Sequence, residues 1–173
     1  MFPITSRKGN KYILVLCHSD SNTIHAEPIK TRSGLDLKTD YQKLHGLFTN
    51  RGLKPHLNIL DNECPNVLKK FMREVNENFP LVPPHIHRIN SAERSIRTFK
   101  DNFIAKLYSN HKYFLLHLWC GILPHASLTL NLLQQYRMNP KLSGYSQLHG
   151  EFKYNATPLS TPLATPGTQV IIH

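Results

Sequence analysis

Acidic residues are scarce in this sequence. Five Asp and six Glu stand against 21 Lys and Arg in 173 residues, for a formal net charge of +10. That balance argues against a cationic partner and for a polyanionic one, nucleic acid or an anionic surface. It also leaves few candidates for carboxylate chemistry. Cysteine is scarce as well. Cys17, Cys64 and Cys120 are an odd number, widely spaced and without a C-x-x-C pair. A disulfide framework and a zinc ribbon therefore drop out, leaving reduced, buried thiols in a reducing, intracellular compartment, nuclear or cytoplasmic. No phosphate-binding G-x-x-x-x-G-K-[ST] or G-x-G-x-x-G occurs, and no Ser or Cys nucleophile motif. Met1 to Lys8 contains no apolar signal region, so secretion is not expected. The apolar stretch from Tyr113 to Leu133 is interrupted by His117, Pro124, His125 and Asn131, which fits buried helices rather than a bilayer span. No membrane partner is expected.

What remains is enough for a folded domain. Hydrophobic residues make up 40% of the chain, and the length suits one domain. Lys11 to Cys17 is a β-prone apolar run, Ser19 to Asn22 a turn cluster, and Thr23 to Ile29 an alternating run. Together they predict a hairpin whose second strand ends at Pro28 or lies at an edge. Leu37, Tyr41, Leu44 and Phe48 recur at helical spacing and predict a helix from Gly34 to Asn50, stopped by Gly52. Pro55 to Leu60 reads as a strand ending at Asp61, Pro65 to Val75 as a helix, and Phe79 to Pro84 as an extended segment. A helix opens at Asn90 and places Ile96, Phe99, Phe103 and Leu107 on one face. Further helical segments are expected from Tyr113 to Arg137. From Asn139 onward, prolines and glycines predict a mostly extended tail ending in a strand, Gln169 to His173. The order predicts a mixed α/β fold with an antiparallel start and later crossovers.

The candidate chemistry is concentrated in two places. Asp61 closes a predicted strand, where a sheet can aim a carboxylate into a cleft, or else Asp61-Asn62 is simply a turn. Glu93 sits three residues after Asn90. It is either a metal-binding carboxylate or the return arm of a capping box, and spacing alone prefers the capping box. Arg94, Arg97 and Lys100 surround it, with His87 and Arg88 just upstream. Glu93, Arg97 and Lys100 share one helix face. A carboxylate flanked by cations suits a metal-assisted phosphodiester substrate, and an ordinary solvated face with ion pairs fits as well. His85 and His87 lack further ligands at zinc spacing.

Three segments together resemble the integrase catalytic core of copia-like retrotransposons: Lys8 to Leu16, Ile59 to Glu63, and above all Pro83-Pro-His-Ile-His-Arg-Ile-Asn-Ser-Ala-Glu93-Arg-Ser-Ile-Arg-Thr-Phe-Lys100. Leu128 to Leu133, Asn139-Pro140, Tyr145 to Gly150 and Thr157 to Thr168 continue the likeness. The resemblance implies a ribonuclease-H-like mixed sheet flanked by helices, followed by a C-terminal helical segment and an extended tail. It divides the chain into a catalytic core (1–110), C-terminal helices of the core (111–138) and a Pro/Gly-rich tail (139–173). It also implies a DDE polynucleotidyl transferase that uses Mg²⁺ or Mn²⁺ to process element ends, join them to target DNA and act as a homo-oligomer. By the motif, Asp61 and Glu93 are its second and third acids and metal ligands. Arg88, Arg94, Arg97 and Lys100 lie along DNA. Glu93 follows Asp61 by 32 positions. The family's first Asp stands on a strand before the Lys8–Cys17 segment, so this chain is expected to lack that strand and its acid. Asp20, in the predicted turn, is not expected to replace it. Strand transfer is then expected to be absent, and a non-catalytic nucleic-acid-binding module on the same scaffold is the alternative.

Overall fold

The computed structural model describes residues 4–60, 64–81, 91–110 and 112–151. Its hairpin pairs β1 (Tyr12–His18) with β2 (Thr23–Ile29) antiparallel, from Tyr12 opposite Ile29 to His18 opposite Thr23. The turn works because Asn22 accepts a left-handed backbone (φ 56°), which Asn tolerates better than most residues. The Ser21 hydroxyl ties the turn together, 2.7 Å from His18 Nδ1 and 2.8 Å from Thr23 Oγ1. The strand runs through Pro28 to Ile29, one residue further than expected. It can do so because β2 is an edge strand, whose outward side needs no proline N–H.

Alternation along β1 feeds two cores. Ile13, Val15 and Cys17 meet a cluster of Ile24, Phe99, Phe103, Trp119, Ile122, Leu123, Ala126 and Leu130. Leu16 faces the other way, onto Tyr41, Leu68 and Met72. The hairpin is thus covered on both faces by helices, an α/β arrangement.

Below it, α1 (Gly34–Thr49) is capped by Ser33, whose Oγ accepts the Asp36 N–H at 3.1 Å. The helix stops as expected at Gly52 (φ 72°), with the Leu53 N–H returning to the Phe48 carbonyl. Tyr41, Leu44 and Phe48 are buried at helical spacing. The next helix, α2 (Asn66–Glu74), buries Leu68 and Met72 and starts directly after Pro65.

The expected strand before Asp61 is reduced to two isolated parallel bridges, Leu57 with Asn78 and Leu60 with Leu81. The hydrogen bonds show why. Asn58 donates to Asn78, Asn78 to His56, and Leu60 to Pro80. The next rung needs a donor at position 80, and proline has none.

Above the hairpin lies α3 (Ser91–Tyr108), with Phe99 and Phe103 each 2% exposed. Ile96, expected on the same buried face, is 48% exposed, because it faces a groove beside β1 rather than the core. The predicted Tyr113–Arg137 helices resolve into a 3₁₀ turn, Leu116–Gly121, and α4 (Leu123–Leu133), with Pro124 in its first turn where proline is tolerated. Trp119 is fully buried and donates its Nε1–H to the Ile4 carbonyl at 2.8 Å. Among the described residues no helix is long and apolar enough to cross a membrane.

Two findings depart from the expected tail. A short helix, α5 (Gly144–His149), occupies part of it, capped by Ser143 and burying Leu148. It docks closely: a Cβ at Gly144 would stand 2.8 Å from the Ser21 carbonyl oxygen and 2.9 Å from Thr23 Cγ2, so only glycine fits. The strand expected at Gln169–His173 lies outside the described residues. Cys17, Cys64 and Cys120 are free thiols, half-buried rather than fully so.

Candidate nucleic-acid interface

The helix α3 carries the charged residues singled out by spacing. Its apolar face is held by Phe99 and Phe103, whose rings stack at 5.6 Å. That anchoring turns Glu93, Arg94, Arg97 and Lys100 to solvent, and all four are exposed. Glu93 lies in the first turn, where the helix dipole favours an anion. Among the described residues, Arg94, Arg97 and Lys100 form no ion pair. One turn further on, Lys106 bonds Thr129 Oγ1 at 2.9 Å and is drawn below the usual lysine range by burial.

Asp61, the other predicted acid, and Arg88 lie outside the described residues, as do His85 and His87 and the capping residue Asn90. Among the described residues no group of three His, Cys, Asp or Glu side chains could hold a metal ion. Glu93 by itself, an exposed carboxylate, does not make a divalent-metal site.

One polar cluster escaped the sequence reading. Glu77 is 4% exposed, and its Oε2 receives Asn58 Nδ2–H at 2.7 Å. The Tyr41 hydroxyl lies 2.7 Å from that same oxygen and 2.9 Å from Asn58 Oδ1, so one proton faces two acceptors. Burial first, and then the bond to Glu77, holds the Tyr41 hydroxyl far above the usual tyrosine range. His45 Nε2 approaches Glu77 Oε1 at 2.9 Å, but off the hydrogen-bond line, so the contact is charge proximity rather than a directed bond. The cluster ties α1 to both bridged segments that lead toward Asp61. Nothing local in the sequence marks it, since the partners are 17 to 36 positions apart.

No protein-family model and no curated protein matches the chain's sequence. Solved structures do match its fold. The catalytic core domain of BIV integrase superposes with a TM-score of 0.57 at 16% identity, over 79% of this chain and 84% of that one. The HTLV-2 integrase catalytic core domain, in complex with magnesium in a dimeric form, gives 0.57 at 14% identity, over 79% and 83%. A chain of the simian T-cell lymphotropic virus intasome in complex with the PP2A regulatory subunit B56 gamma gives 0.63 at 12% identity, over 97% of this chain and 57% of that one. At such identities the shared property is architecture. The hairpin, the helices on its two faces and the exposed basic helix therefore belong to a chain with the fold of a retroviral integrase catalytic core.

Proposed function

We propose that this chain is the integrase core of a copia-like retrotransposon polyprotein, and that it holds DNA along the exposed face of α3. The observation that carries the reading is the exposed cations Arg94, Arg97 and Lys100, which form no ion pair among the described residues, beside Glu93 on a helix whose opposite face is locked into the core. Cations without acidic partners are available to phosphates, and the net charge of +10 steers DNA to them. Arg88 extends the same basic segment. In this reading Asp61 and Glu93 supply two carboxylates to a divalent ion, Mg²⁺ or Mn²⁺. That ion would serve phosphodiester transfer between element ends and target DNA. The motif assigns no residue of this chain to the first acid, so strand transfer is expected only when a segment carrying that acid is supplied. Working assemblies are homo-oligomers, a reading that the dimeric HTLV-2 core and the intasome support; that they work inside the cell is part of the same proposal.

The test is a strand-transfer assay with Mn²⁺, using the chain extended by its upstream coding sequence. Activity that disappears in Glu93→Gln supports the assignment. An inactive extended chain, or a Glu93→Gln variant that remains active, overturns it. A second reading, a non-catalytic DNA-binding module, rests on the net charge of +10 alone. It predicts salt-dependent DNA binding that is indifferent to chelators.

A further inference from the structure

We infer that α5 is a proton-released latch: it seats against the hairpin turn while the imidazoles of His25 and His149, gathered beside Arg51, are neutral, and lets go when they become charged. The inference stands on α5, the hairpin and the end of α1, independently of the integrase reading.

At six residues, α5 is too short to persist as a helix without tertiary support. Its support comes from three places. The Gly144 N–H donates to the Gln134 carbonyl at 2.7 Å, and Gly144 itself packs on the turn at Ser21 and Thr23. Leu148 is buried. At the far end His149 Nε2 lies 3.3 Å from an Arg51 guanidinium nitrogen, just beyond α1. Arginine only donates, so His149 Nε2 must accept, which requires that nitrogen to be unprotonated. Charging His149 turns the acceptor into a donor and sets two cations face to face.

His25 works in the same direction. It shares with His149 a cavity of about 260 Å³ between β2, α4 and α5. Its Nε2 is buried and has no hydrogen-bond partner among the described residues, so a proton added there has no acceptor. The ring of Phe48 meets His25 edge-on at 5.1 Å and stacks on His18 at 4.7 Å, which brings a third imidazole close. The acids nearby do little to offset this. Glu27 lines the cavity but is bonded to Lys43 of α1 at 2.8 Å, and Asp20 acts on His18. From α4 come Pro124, Ser127, Leu128 and Asn131, none of them titratable. On α5, Tyr145 stacks on His149 at 4.5 Å.

Seating α5 buries both imidazoles, and burial lowers their proton affinity, for His25 to a pKa of about 4. Release returns them to water, so protons bind the released form more tightly and acid favours it. With His25 moving from about 4 to 6.5 on release, the opening constant rises about twentyfold between pH 7 and pH 5.

The test is amide exchange of the full 173-residue chain by NMR at pH 7 and pH 5, corrected for the intrinsic rates, in urea below the unfolding transition. Gly144, Gln147 and Gly150, whose N–H groups bond to Gln134, Ser143 and Ser146, report α5. Ile24, bonded to Asn131, reports the core. The opening constant of α5 is expected to rise at least fivefold at pH 5 and to be insensitive to urea, while Ile24 exchanges only through urea-sensitive unfolding. Arg51→Glu offers the charged His149 an acceptor and should at least halve the rise, with unchanged circular dichroism at pH 7. His149→Gln, which cannot charge, should also reduce it. A rise below fivefold, a urea dependence of α5 equal to that of Ile24, or an undiminished rise in both variants overturns the inference.

Discussion

Lowering the pH from 7 to 5 should destabilise the fold by about 2 kcal/mol, most of it through His25. This residue sits on β2 with its ring edge-on to Phe48 at 5.1 Å, and its Nε2 is buried with no hydrogen-bond partner among the described residues. Burial is the main cause that pushes its pKa down from 6.5 to about 4. The neighbouring His149, His18 and Arg51 add to the shift, since each is or becomes cationic. The unfolded chain takes up a proton near pH 6.5, while the folded chain resists it until about pH 4. The stability is therefore complete above 6.5 and falls away as the pH drops toward 4. Each pKa unit is worth about 1.4 kcal/mol, so the full loss is about 3 kcal/mol, with about 2 already reached at pH 5. His18 and His149 are also pushed down by burial, so they act in the same direction. Urea unfolding followed by the fluorescence of Trp119, the single tryptophan, reads the effect directly. With a slope of about 2 kcal/mol per molar, the midpoint should move down by about 1 M between pH 7 and pH 5. His25→Phe keeps the ring against Phe48 and removes the titration, and should at least halve that movement. An equal shift in the variant and the parent chain would refute the reasoning.

Asn131→Ala leaves the Ile24 N–H and carbonyl buried and unbonded, and should lower the unfolding free energy by about 2–4 kcal/mol in the same urea assay. Gly144→Ala forces a methyl onto the Ser21 carbonyl oxygen and should cost about 1–3 kcal/mol, with α5 losing amide protection before the rest of the fold. Replacing Arg94, Arg97 and Lys100 together by Gln should lower the slope of log K against log salt for duplex DNA by about 3, without moving the thermal midpoint by more than a few degrees. An unchanged slope would place the DNA elsewhere on the chain.

Much of this architecture was readable from local pattern. Two-residue alternation located the hairpin. The spacing of Tyr41, Leu44 and Phe48, and of Phe99 and Phe103, located the buried faces of α1 and α3. Those faces depend on backbone geometry that every turn of helix or strand repeats. The prolines were legible as breakers, but Pro80 acts on a neighbour 20 positions away, which pattern alone does not show. Ile96 fits the helical period and is nonetheless exposed, because periodicity names a face and not what covers it. The short α5 was masked by its Ser-Gly start, which also reads as a turn.

By itself the sequence determined the cationic surplus, the shortage of acids, the hairpin, and the helix faces on which Glu93, Arg94, Arg97 and Lys100 stand. Each follows from composition or from spacing within a few residues. Only the tertiary structure decided that Asn131 closes the β2 edge from 107 positions away, that Glu77 is surrounded by Tyr41, Asn58 and His45, and that Ile96 faces an apolar groove between β1 and α3. These features depend on which distant backbones come within bonding distance, and that is set by how the two cores assemble around the hairpin rather than by any local period.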